Sequence, residues 1–67
     1  MQQDLSPREL QIARLVADGK TNKEIARDAA LSPSTVKDYI ANACHKLGVA
    51  GRVQLAAWYW KTYGVEA

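Results

Sequence analysis

The stretch TNKEIARDAALSPSTVKDYIANACHKLG, residues 21–48, decides the fold, because it packs two helix starts and two helix stops into one run. Thr21-Asn22-Lys23-Glu24 has the spacing of a capping box. In that motif the threonine hydroxyl accepts from the Glu24 backbone N–H, and the glutamate carboxylate reaches back to the N–H of Thr21. It opens a short helix with Ile25, Ala26 and Ala29 as its inward positions. Ala30-Leu31-Ser32-Pro33 ends that helix and starts the next, with Ser32 as cap and Pro33 in the first turn, where its missing donor costs nothing. The second helix extends to Leu47 and stops at Gly48, a natural terminator. Its apolar residues Val36, Ile40, Ala43 and Leu47 recur at i, i+4, i+7 and i+11, one face of a 3.6-residue repeat. Only about four residues, roughly Ala29 to Ser32, join the two helices. A link that short forces a sharp crossing, the arrangement of a helix-turn-helix, and the small Ala26, Ala29 and Ala30 permit close approach at the turn. Short links also occur in plain helical bundles, so spacing alone leaves both readings open.

Upstream, Leu5-Ser6-Pro7-Arg8-Glu9-Leu10 repeats the start signals: Ser6 and Glu9 form a capping box, Pro7 takes the first helical position, and Leu5 and Leu10 have staple spacing. This helix runs through Ile12, Ala13 and Val16 to Gly19. Downstream, a fourth helix begins near Gly51, a weaker cap than serine or aspartate, and frays around Gly64. On it Val53, Ala56, Ala57 and Trp60 share one side and are expected on the core. Leu55, Trp58, Tyr59 and Thr62 share the other at i, i+3, i+4 and i+7. A helix ending so small a domain cannot bury both sides, so this second stripe is predicted as a two-fold homodimer interface, unless Trp58 or Tyr59 folds back over a helix end.

The expected class is therefore all-α, a four-helix domain with a central helix-turn-helix. Residues 5–63 form the domain, 1–4 a disordered N-terminal tail and 64–67 a C-terminal tail. A length of 67 residues allows one domain and no more. No window approaches ~20 consecutive apolar residues, so no membrane span is expected, and MQQDLSPREL lacks the basic-then-apolar plan of a secretory signal. The chain is read as cytoplasmic. Met1 stands directly before the domain, which is read as free-standing or as an output domain excised from a longer regulator. One cysteine excludes an internal disulfide, and Cys44 with His45 cannot complete a zinc site. Nor do they suggest a nucleophile, since no base and orienting third group accompany them. The expected pair is a partly buried Cys44 and an outward His45. Glu9 and Glu24 are accounted for by capping, and Thr21-Asn22-Lys23 contains no glycine-rich phosphate loop. Nothing points to an enzyme, a metal, a cofactor or a small-molecule ligand. The net charge of +2 is compatible with a polyanion partner without implying one.

Several motifs together carry a resemblance. Leu5-Ser-Pro-Arg-Glu-Leu, Gly19-Lys-Thr-Asn-Lys-Glu-Ile-Ala26, Leu31-Ser-Pro-Ser-Thr-Val-Lys37 and Lys46-Leu-Gly-Val49 with Arg52 resemble the LuxR/GerE-type DNA-binding domain of bacterial transcription regulators. The likeness covers about residues 5 to 60. It implies a domain whose third helix enters the major groove of double-stranded DNA and whose fourth helix pairs two copies. Family members are usually the output domains of response regulators or autoinducer receptors, and RNA polymerase is a further candidate partner. The chain departs from the family pattern at Asp38, a position often neutral or amide-bearing, and at Ala41, often longer and sometimes basic. Tyr39 stands where histidine is common, and Ala29 where leucine is usual.

Helix three can be read without the family. At 100° per residue, the face opposite Val36, Ile40, Ala43 and Leu47 presents Ser34, Asp38, Ala41, Asn42 and His45. Groove reading needs short polar side chains at the centre and cationic or hydroxyl donors at the flanks. Ser34, Lys37, Asp38, Ala41 and Asn42 are the candidate base-edge residues. Thr35 and Lys37 lie on opposite flanks, and Thr35, Lys37, Tyr39 and Lys46 are candidate phosphate contacts, Lys37 being also able to turn toward guanine O6/N7; Thr21, Asn22 and Lys23 at the N-terminus of helix two join them. Asp38 would be repelled by phosphates. It is read as a cytosine reader, as charge tuning, as the partner of Lys37, Arg27 or His45, or as a hint that the groove face serves another purpose. The functional expectation is sequence-specific DNA binding in bacterial transcription. The alternative is a helix-turn-helix repurposed as a protein-interaction module.

Overall fold

In the computed structural model, which describes residues 5–64, the chain forms four helices and no strand: α1 (Pro7–Ala17), α2 (Asn22–Ala29), α3 (Pro33–Leu47) and α4 (Arg52–Tyr63). Of the tails expected at 1–4 and 64–67, all but Gly64 lie outside the described residues. Gly64 caps the end of α4, its N–H donating to Trp60 O at 2.8 Å.

The helix starts follow the local chemistry. Ser6 Oγ accepts from Glu9 N at 3.2 Å while Glu9 Oε1 accepts from Ser6 N at 2.8 Å. Thr21 and Glu24 repeat the exchange at 3.2 and 2.9 Å, and Ser32 Oγ accepts from Thr35 N at 3.2 Å. Gly51 offers no side-chain cap to α4. Three stops share one geometry, in which a residue just past the helix (the first after α2 and α3, the second after α1) turns left-handed and two N–H groups fold back onto the last carbonyls. Gly19 and Gly48 do this at φ 85° and 70°. Ala30 does it without being glycine, at φ 60° and ψ 45°. The N–H of Leu31 donates to Ala26 O at 2.8 Å, which closes the turn between α2 and α3.

Helix α1 lies at the centre, against each of the other three. Its Ile12, Ala13 and Val16 meet Ile25, Ala26 and Ala29 of α2, Val36, Ile40 and Ala43 of α3, and Leu55 of α4 in one core. Cys44 is buried rather than partly exposed, and burial pushes its thiol pKa up. His45 faces solvent, as expected.

Helix α4 is rotated from its expected orientation. Leu55, assigned above to a dimer stripe, is fully buried, whereas Val53, assigned to the core, is 80% exposed and Trp60 51%. Trp58 and Tyr59 are half-buried against the core, Thr62 is exposed, and Ala57 points outward. The physical reason is that apolar residues ring this helix, with Leu55 to Trp60 an unbroken run, so periodicity assigns it no phase. Arg52 sets the phase instead. It lies at i−3 from Leu55 and i−4 from Ala56, and its guanidinium donates to Asn22 Oδ1 at 2.6 Å and Lys20 O at 2.9 Å. That clamp turns Leu55, Ala56 and Tyr59 inward. The indole of Trp60 remains at the edge, donating to Ala17 O at 3.1 Å at the end of α1.

Candidate nucleic-acid interface

With Val36, Ile40, Ala43 and Cys44 committed to the core, the opposite face of α3 is left outside. Ser34, Lys37, Asp38, Ala41, Asn42 and His45 are all exposed there. This row runs from the first turn of the helix to the last, and no other element among the described residues covers it. Its first turn is ordered by hydroxyls: Ser32 Oγ lies 2.9 Å from Thr35 Oγ1 and 3.3 Å from Ser34 Oγ. Thr35 and Tyr39 are half-buried at the flank, with the Tyr39 ring against the core. Thr35, Asp38, Tyr39 and Asn42 line a shallow concavity of about 280 Å³.

The candidate phosphate contacts divide. Lys23 and Thr21 are exposed at the start of α2, beside a second concavity of about 340 Å³ lined by Gly19, Lys20, Thr21, Asn22 and Arg52. The capping box takes the N–H groups of Thr21 and Glu24, not those of Asn22 and Lys23. It also holds the Glu24 carboxyl below its usual range, chiefly through the Thr21 N–H. The Asn22 side chain is half-buried, and its oxygen accepts from Arg52, which leaves its amide N–H₂ as the free end.

Lys46 is held on the protein's own surface. Its Nζ lies 2.7 Å from Glu9 Oε1, a charge-assisted bond from α3 back to the capping box of α1. That bond is the leading cause of a lowered Glu9 pKa, ahead of the Ser6 N–H. Glu9 thus has two roles, local cap and partner to the recognition helix. Sequence reasoning identified the first and missed the second, because Lys46 is 37 residues away. The same holds for Arg52, which the resemblance singled out without a role, and for Arg8, whose Nη1 donates to Ala29 O at 3.1 Å. A cation at that carbonyl stabilises the C-terminus of α2 just before the turn.

Among the described residues no group of three His, Cys, Asp or Glu side chains could hold a metal ion. None of the helices is long and apolar enough to cross a membrane.

Residues 3–59 match the family described as bacterial regulatory proteins, luxR family. The chain is 45% identical over 64 residues to the transcriptional regulatory protein LiaR of Bacillus subtilis, covering 96% of this chain and 30% of LiaR. It is 46% identical over 50 residues to the spore germination protein GerE of the same organism, covering 75% of this chain and 68% of GerE. Over 55 residues it is 47% identical to the transcriptional regulatory protein UhpA of Escherichia coli, covering 82% of this chain and 28% of UhpA. The chain therefore spans under a third of the length of LiaR and UhpA and about two thirds of GerE. LiaR and UhpA are transcriptional regulatory proteins by name, and with the family match spanning residues 3–59, the chain belongs to the luxR family of bacterial regulatory proteins.

Proposed function

We propose that this domain binds double-stranded DNA sequence-specifically in bacterial transcription regulation, with α3 lying in the major groove. One observation carries the reading: α3 buries a single apolar face and leaves Ser34, Lys37, Asp38, Ala41 and Asn42 uncovered on the other. A helix in the major groove reads base edges with such short polar side chains, while cations and helix N-termini at its margin hold phosphates. Lys37 is the exposed cation at the flank of that face. Lys23, Thr21 and the amide of Asn22 supply the margin at the start of α2, and Lys46, engaged by Glu9, contributes less. Selection from a random duplex pool, followed by titration at several salt concentrations, tests the reading. Affinity is expected to fall steeply with salt, by a log–log slope of about −0.9 per phosphate contacted. Lys37→Ala is expected to weaken binding at least tenfold, about 1.4 kcal/mol. If duplexes fail to bind at low salt, the proposal is wrong.

A homodimer through α4 would place two recognition helices about one DNA turn (~34 Å) apart. Leu55 cannot take part, being core. The face that supports pairing is Val53, Ala57 and Lys61, with Trp60 on its flank, because Val53 and Trp60 are large apolar side chains left exposed on that side of α4. Sedimentation of the wild type and Val53→Asp checks this: a dimer lost in the variant supports the face, and a monomer for both, with DNA present, removes it.

A further inference from the structure

We infer that Asp38 determines specificity by selecting a cytosine at one position of the recognised site; this rests on the DNA-binding reading above. Asp38 is exposed in the second turn of α3, on the row between Ser34 and Asn42. Its carboxylate takes part in no ion pair among the described residues. Among the described residues the ion pairs are Lys20–Asp28 and Lys46–Glu9, and none joins Asp38 to Lys37, Arg27 or His45. Side chains of the same row make no hydrogen bond to it either. It opens onto the concavity shared with Thr35, Tyr39 and Asn42.

An unpaired carboxylate at the groove surface raises the free energy of any complex that offers it only acceptors. Guanine presents N7 and O6 to the major groove, and thymine presents O4. Adenine presents a donor at N6 but an acceptor at N7 beside it. Cytosine presents the N4 amino group with no neighbouring acceptor on its own edge. An acceptor-only side chain is therefore complementary to cytosine and mismatched to the other three. Geometry permits the approach. The short Ser34 and Ala41, at i−4 and i+3, crowd neither side of Asp38 and let the backbone come close enough for a side chain of two carbons. The same charge repels phosphates everywhere, so it weakens binding to unrelated duplexes while cytosine restores the loss at one site.

The test selects from random duplexes with the wild-type chain, Asp38→Asn and Asp38→Ala in parallel, after checking that all three melt alike, as substitution of an exposed residue allows. The wild type is expected to enrich sites with a fixed cytosine, which both variants lose while the rest of the site is retained. Replacing that cytosine with N4-methylcytosine, whose remaining amino hydrogen is used in base pairing, should cost the wild type about tenfold and the variants little. If both variants enrich the same cytosine and gain affinity equally for all duplexes, Asp38 acts by charge alone and the inference falls, while DNA binding stands. If no duplex is enriched by any of the three, the DNA-binding reading falls and takes this inference with it.

Discussion

Glu9→Gln, Lys46→Met and the double variant measure the bond that ties the recognition helix to α1. The Glu9 side chain is 8% exposed and Lys46 36%, with 2.7 Å between Oε1 and Nζ. Glutamine keeps an oxygen at the same reach, so the hydrogen bond from Ser6 N persists in neutral form and the capping box survives. The charge is lost. Hydrogen bonds to charged groups contribute about 1.5–3 kcal/mol and neutral ones about 0.5–1.5. Lys46 is more than a third exposed and rehydrates when released, which pulls the value toward that of a surface pair. The expected loss for Glu9→Gln is about 1–2 kcal/mol, with a Glu9–Lys46 coupling of about 1 kcal/mol in the double-mutant cycle. In a domain of this size 1 kcal/mol moves Tm by about 4–8 °C, so thermal and urea melts of the four proteins at neutral pH resolve it. A coupling within about 0.3 kcal/mol of zero refutes the reasoning.

The same carboxylate sets an acid limb. The Lys46 ammonium and the Ser6 N–H hold Glu9 below a glutamate's ordinary 4.5. A group depressed on folding stabilises fully above its unfolded pKa, and that contribution is lost as pH falls through the folded value. Stability of the wild type should therefore drop below about pH 4.5 more steeply than that of Glu9→Gln.

Three further outcomes are expected. Leu55→Ala should cost about 2–5 kcal/mol, the range for a buried leucine, whereas Val53→Ala should stay within about 0.5 kcal/mol; the reverse order in chemical denaturation would restore the rejected orientation of α4. Ala30→Gly should stabilise by about 0.5–1 kcal/mol, because the left-handed conformation is costly for alanine and free for glycine, and a lower Tm would contradict the turn geometry. Lys46→Met should leave the salt slope of DNA binding almost unchanged, since its ammonium faces Glu9; a slope smaller by about one phosphate contact would return Lys46 to the DNA.

Helix limits and the helix-turn-helix were legible in the sequence because caps and stops are local. Ser6 with Glu9, Thr21 with Glu24, and Ser32 with Thr35 each act across three residues, and Gly19 and Gly48 act through their own backbone. The outward row of α3 was legible for a related reason. Val36, Ile40 and Ala43 form one clean stripe, so the far side follows by rotation. Residues joined across 30 or more positions had no such signal. The Glu9–Lys46 bond, the Arg52 clamp on Lys20 and Asn22, and the burial of Leu55 in place of Val53 depend on how helices dock, not on any spacing along one of them. Sequence alone thus determined where each helix begins and ends and which side of α3 is free, since hydrogen bonds three or four residues apart and a single apolar stripe are properties of one segment. Only the tertiary structure decided the rotation of α4 and which cations remain available, because both are set by partners that folding brings together from distant parts of the chain.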